Sequence, residues 1–210
     1  MKLTKMSSVC FLVILAACNQ EEAGQGTAPP AEAISHDLGP FFQSEAAMFD
    51  NMRNAIGTNS SDNWVKMMIA HHKGGAAISQ DVLEEAPSTR IVLLARRVID
   101  SQIEAVRELE ALVRTGPPNL EIAHVIRPSL QAMYAATMAV QGPDPSEVWL
   151  RKIIEHHRGA IAMSDVLLAR RGIPQDITSA VLRLRQEKSR ELKELEQALA
   201  EMESRRDLQK

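Results

Sequence analysis

The 210-residue chain carries 24 Lys and Arg against 27 Asp and Glu, a formal net charge of −3. It has no basic block with which to grip nucleic acid. Its only cysteines are Cys10 and Cys18, so once the leader is gone a disulfide or thiolate site in the folded part is excluded, and any metal must be held by His, Met, Asp, Glu or Gln.

The first element is a leader. Lys2 and Lys5 give a positive start, and Val9 to Ala17 is an apolar run too short to remain as a membrane-spanning helix. Leu15-Ala16-Ala17-Cys18 then resembles a bacterial lipobox. That resemblance implies that residues 1–17 leave as a signal peptide and that Cys18 takes a lipid anchor. Asn19, rather than Asp, follows the cysteine, which in a Gram-negative host implies the outer membrane and a periplasm-facing protein in the cell envelope. Residues 18–38 are rich in Gly, Pro, Ala, Glu and Gln and read as a flexible tether that includes His36.

Residues 39–204 read as one helical domain. Asp62 or Ser61 caps an expected helix from Trp64 to Glu85, broken by Pro87-Ser88-Thr89. A second helix is expected from Arg90 to Arg114, with Ile91, Leu94, Val98, Val106, Leu109 and Leu112 on its apolar face. Gly116-Pro117-Pro118 ends it. A short helix follows from Pro128 to Val140, then one capped by Ser146 and running to Arg171. Gly172-Ile173-Pro174 stops that helix, and a charged helix runs from Gln175 to Met202 before the tail frays. No alternation typical of a strand occurs, and aromatic residues are only 3%, which suits a core of Ala, Leu, Ile and Met.

The chain repeats itself. A shift of 85 residues lays Met48 on Met133, Phe49 on Tyr134, and Trp64 on Trp149, the only two tryptophans. It also lays His71-His72-Lys73-Gly74 on His156-His157-Arg158-Gly159. With one more residue of offset, Arg107-Glu108-Leu109-Glu110 falls on Lys193-Glu194-Leu195-Glu196. Repeat one spans about 45–115 and repeat two about 128–202. Two αα-hairpins, each preceded by a short extra helix, predict an all-α four-helix bundle.

The chemistry lies in the paired histidines. Helical spacing puts Trp64, Met68, His71, Gly75 and Ile78 on one stripe and Val65, Ile69, His72 and Ala76 on its neighbour. The second repeat has Trp149, Ile153, His156, Ala160 and Met163 beside Leu150, Ile154, His157 and Ile161. Each pair therefore borders an apolar face, where an imidazole must find a partner: a metal, a carboxylate or a backbone carbonyl. Met67 lies one turn before His71, Met68 one turn before His72, and Met163 two turns after His156. Imidazole with thioether is a borderline-to-soft set that favours copper, above all Cu(I), or silver over Mg²⁺ or Ca²⁺. The small Gly74, Gly75, Gly159 and Ala160 let a facing helix or ligand come close. Glu121-Ile122-Ala123-His124 has the spacing of a di-iron carboxylate ligand pair, but it occurs once between prolines and reads as surface.

These strings resemble the signature of the domain of unknown function 305 family: Met67-Met68-Ile69-Ala70-His71-His72-Lys73-Gly74-Gly75-Ala76, and Ile153-Ile154-Glu155-His156-His157-Arg158-Gly159-Ala160-Ile161-Ala162-Met163. The resemblance covers about residues 45 to 200. It implies a ferritin-like helical bundle and, as in the CopM-like members, an exported copper or silver binder linked to metal tolerance. Met48, Met52, Met133 and Met138 also fit the pattern as secondary candidates. This chain departs from the pattern in places. Ile153 stands where a Met is expected, Ala105 where Glu is, Leu109 where Met is, and Lys188 where Gln is, while Gln102 and Glu191 are kept.

The expected function is therefore binding of a copper ion through His71, His72, His156 and His157, helped by Met68, Met163 and Met67. The purpose would be sequestration or handover to an efflux or assembly partner, not turnover. The competing expectation is an envelope structural or interaction module in which the histidines make buried hydrogen bonds. No Ser-His-Asp order, phosphate loop or haem-attachment pair points to an enzyme.

Overall fold

A computed structural model describes residues 39–85 and 87–208. The leader, Cys18, the tether and His36 lie outside the described residues. Six α-helices are formed: α1 (Phe42–Asn54), α2 (Ser60–Glu84), α3 (Thr89–Glu110), α4 (Arg127–Ala139), α5 (Pro145–Leu168) and α6 (Gln175–Asp207). A single 3₁₀ turn, Leu120–His124, precedes α4, and no strand occurs among the described residues. Glu121 and His124 are exposed on that turn, as expected of a surface segment. No described helix is long and apolar enough to cross a membrane.

The helices form a bundle with α2 and α5 at its centre. α2 packs on α1, α3 and α5; α5 packs on α4, α6 and α2; α3 and α6 touch only lightly. α1 and α4, each of 13 residues, begin 85 residues apart, as do α2 and α5. Trp64 and Trp149 are both fully buried within the central pair, among Val65, Met68, Leu150, Ile153 and Met163.

Helix ends depart from the sequence expectation where side chains are diverted. α2 is capped by Asn59, whose side chain accepts the Asp62 N–H at 3.0 Å, and not by Asp62 or Ser61. Asp62 is occupied elsewhere. Its buried carboxylate accepts the Thr58 N–H at 2.8 Å and the Arg114 N–H at 2.9 Å, and it pairs with Lys66 at 2.9 Å. The Arg114 bond draws the chain out of helix, so α3 stops at Glu110 rather than Arg114. Asp144, not Ser146, caps α5, its carboxylate accepting the Ser146 N–H at 2.9 Å with Pro145 at the first helical position. α6 continues to Asp207 instead of fraying after Met202, because Glu203 pairs with Arg151, and Arg206 with Glu147, at the start of α5.

Candidate functional site

All four paired histidines are buried where α2 crosses α5, at most 2% exposed. Their rings form a row, His72, His71, His156, His157. The His71 and His156 rings stack with centroids 3.6 Å apart and planes 24° apart. His72 lies 5.4 Å from His71, and His157 5.7 Å from His156.

The central two are locked reciprocally. His71 Nε2 donates to the His156 carbonyl at 3.2 Å, and His156 Nε2 donates to the His71 carbonyl at 3.1 Å. Because Nε2 carries the proton, each Nδ1 keeps a bare lone pair, and neither Nδ1 has a hydrogen-bond partner. His72 Nδ1 faces Gln102 Oε1 on α3, which leaves His72 Nε2 as a third buried, unpartnered ring nitrogen. His157 differs. Its Nδ1 donates to the Ile153 carbonyl at 2.8 Å and its Nε2 to Glu191 Oε2 at 2.7 Å, so it offers no free lone pair in this arrangement.

Burial pushes the pKa values of His71 and His156 well below the ordinary histidine value, reinforced by the neighbouring imidazoles. His72 is pushed down to about 3 by burial and by the Lys188 ammonium. The three rings with free nitrogens are therefore neutral. Burial alone would raise the Glu191 carboxyl. The His157 hydrogen bond and the Lys188 charge outweigh it and hold the group well below the usual carboxylate range.

The glycines of the motif act as seats. A Cβ on Gly74 would stand 2.2 Å from Met48 Cγ, and one on Gly159 would stand 2.2 Å from Met133 Sδ. A Cβ on Gly75 would stand 2.5 Å from His156 Cε1. The close approach expected of these small residues is thus made by methionines of α1 and α4 and by the facing histidine. Met68 and Met163 are fully buried in the core, Met67 lines a cleft beside α1 and α4, Met52 shares that cleft, and Met138 is half-buried near the end of α4.

Among the described residues no three His, Cys, Asp or Glu side chains are grouped so as to hold a metal ion. Three neutral imidazoles nonetheless each carry a buried, unpartnered nitrogen, a donor type that can ligate first-row transition metals such as zinc or copper, and the other nitrogen of each ring is fixed by a carbonyl or amide oxygen. Such outer partners fix the tautomer and orientation of a ligating histidine.

The family model for "Domain of unknown function (DUF305)" matches residues 12–113 and 126–199. The chain belongs to the DUF305 family. A solved structure, the crystal structure of a DUF305 fragment from Deinococcus radiodurans, is similar with a TM-score of 0.52 and 22% identity, over 70% of this chain and 99% of that one. At that identity the likeness speaks for the fold alone. Comparison with curated proteins finds no match.

Two features of this DUF305 protein were not assigned from its sequence. Gln102, Lys188 and Glu191 stood out as kept or altered pattern positions, but not as partners of His72 and His157; Ser101, which bonds both Glu191 and the Lys188 ammonium, carried no signal. A buried ion pair links Lys152 Nζ to Glu45 at 2.8 Å, with a further bond of 2.8 Å to the Thr137 carbonyl. The 85-residue shift contains its signal: Lys152 falls on Met67 and Glu45 on Leu130, two charges replaced together by two apolar residues.

Proposed function

We propose that this protein binds a soft transition-metal ion, copper and above all Cu(I), with silver as the related cation, for sequestration or handover to an efflux or assembly partner rather than for turnover. The observation that carries the proposal is the set of three unpartnered nitrogens, His71 Nδ1, His156 Nδ1 and His72 Nε2, on buried neutral rings. A ligating imidazole must be neutral, and burying a ring nitrogen without a partner is costly unless something occupies it. These three side chains would hold the ion. The cation would act as cargo, and loading requires His71 and His156 to leave their stacked arrangement, since they do not converge as they stand. His157, Met68, Met163 and Met67 are the remaining candidates, with His157 the weakest because both of its nitrogens are engaged. Export, lipid attachment at Cys18 and a periplasm-facing place at the outer membrane belong to the same reading and rest on the lipobox.

One observation favours a second reading, an envelope structural or interaction module without metal. The reciprocal His71–His156 carbonyl bonds already clasp the two halves. An anaerobic Cu(I) titration of the purified protein against a competing chelator separates the two. The metal reading expects binding that is lost when His71, His72 and His156 are all changed to Ala, in a variant shown to remain helical, and kept in His157→Gln. Absent binding, or equal binding in wild type and triple variant, leaves the histidines as a clasp.

A further inference from the structure

The 85-residue shift gives the two repeats equivalent positions beside the contact between α1 and α4. Phe49 and Tyr134, repeat mates of each other, meet there edge to face at 4.7 Å. In the second repeat Lys152 pairs with Glu45 and bonds the Thr137 carbonyl. In the first repeat the equivalent positions are Met67, Leu130 and Met52, which form no such bridge. A half-enclosed cleft of about 460 Å³ lies there, floored by the buried Phe49, Met52, Met67 and Leu130 and edged by Ile56 and the exposed Tyr134. That size lies within the roughly 300–1,000 Å³ of small-molecule sites.

The polar part of the lining has one sign. It holds Arg53 and Arg127, with Asn63 and Gln131, and no carboxylate. Arg53 is paired with Asp50. Arg127, exposed at the start of α4, has no ion-pair or hydrogen-bond partner among the described residues. Apolar walls with two methionines can adapt to an alkyl or aryl body. A free guanidinium presents the fork that a carboxylate accepts in bidentate fashion.

We propose that this cleft is a binding site for an amphipathic carboxylate, its apolar body lying against Met52, Met67 and Leu130 and its head held by Arg127. The site uses none of the four paired histidines and shares only Met67 and the secondary Met52 with the candidates for metal binding.

Isothermal titration calorimetry of the purified full-length protein, with decanoate at submicellar concentration and decanamide as neutral probe, tests it. Wild type is expected to bind decanoate at one site per chain, and decanamide about tenfold or more weakly. Arg127→Gln brings decanoate down to the level of decanamide. Met67→Lys combined with Leu130→Glu copies the Lys152–Glu45 ion pair into the cleft and removes binding of both probes. No binding by wild type, equal affinity for the two probes, or undiminished binding in the double variant overturns the proposal. Should the double variant not fold, the exposed Arg127→Gln change decides alone, and unchanged decanoate affinity in it is fatal.

Discussion

A histidine in this protein is defined less by its place on the helix than by what its second nitrogen meets. His72 and His157 are repeat mates, yet one faces the neutral amide of Gln102 and the other the Glu191 carboxylate beside Lys188. If His72 serves as a ligand, Gln102→Leu is expected to lower Cu(I) affinity by about 10–100-fold, the usual cost of losing an outer partner. A chelator-competition titration reads it. The depressed values also have a consequence for pH. His72 falls from an unfolded value near 6.5 to about 3 in the fold, and His71 and His156 move the same way. Below pH 6.5 the unfolded chain then binds more protons than the folded one, so stability rises with pH and is lost as pH falls from 6.5 towards 3. Each such ring contributes a slope of up to about 1.4 kcal/mol per pH unit. Urea unfolding is expected to give a stability at least about 2 kcal/mol lower near pH 5 than near pH 7; equal values would mean that the rings are not held neutral.

At the scale of helices, the exchange of Lys152 and Glu45 for Met67 and Leu130 shows how one packing problem is solved in two ways. Burial raises the Glu45 carboxyl despite the opposing pull of Lys152, so the pair is retained against a desolvation cost. Lys152→Met alone strands Glu45 and is expected to cost about 3–5 kcal/mol. Lys152→Met with Glu45→Leu copies the solution already present in the other repeat, and is expected to be neutral or stabilising. Thermal unfolding of the two singles and the double, read as a double-mutant cycle, checks this. Additive losses would show that the ion pair is not what ties α5 to α1.

Across the whole molecule the two halves are joined mainly through α2 and α5, with only light contact between α3 and α6. That seam carries the histidine row and the 3.2 Å bond from Trp149 Nε1 to Ser79 Oγ. Each half covers apolar surface of the other, so the two are expected to unfold together. Denaturant curves followed by tryptophan fluorescence and by far-ultraviolet circular dichroism are expected to coincide in a single transition. Separated curves would mean that the repeats are independent.

Much of this was legible in the chain alone, for a physical reason. Helical periodicity, prolines at the breaks, and the 85-residue repeat of tryptophan and paired histidine are local or self-similar signals, and they determined the helical bundle and the family pattern. The same periodicity placed the four histidines on the buried faces. Periodicity does not say which atoms meet across helices. The stacking of His71 on His156, the choice of Gln102 or Glu191 as partner, and the diversion of Asp62 from capping α2 to holding Arg114 were decided only by tertiary structure. Each depends on side chains brought together from distant parts of the chain, where a difference of one ångström separates a hydrogen bond from an unpartnered nitrogen.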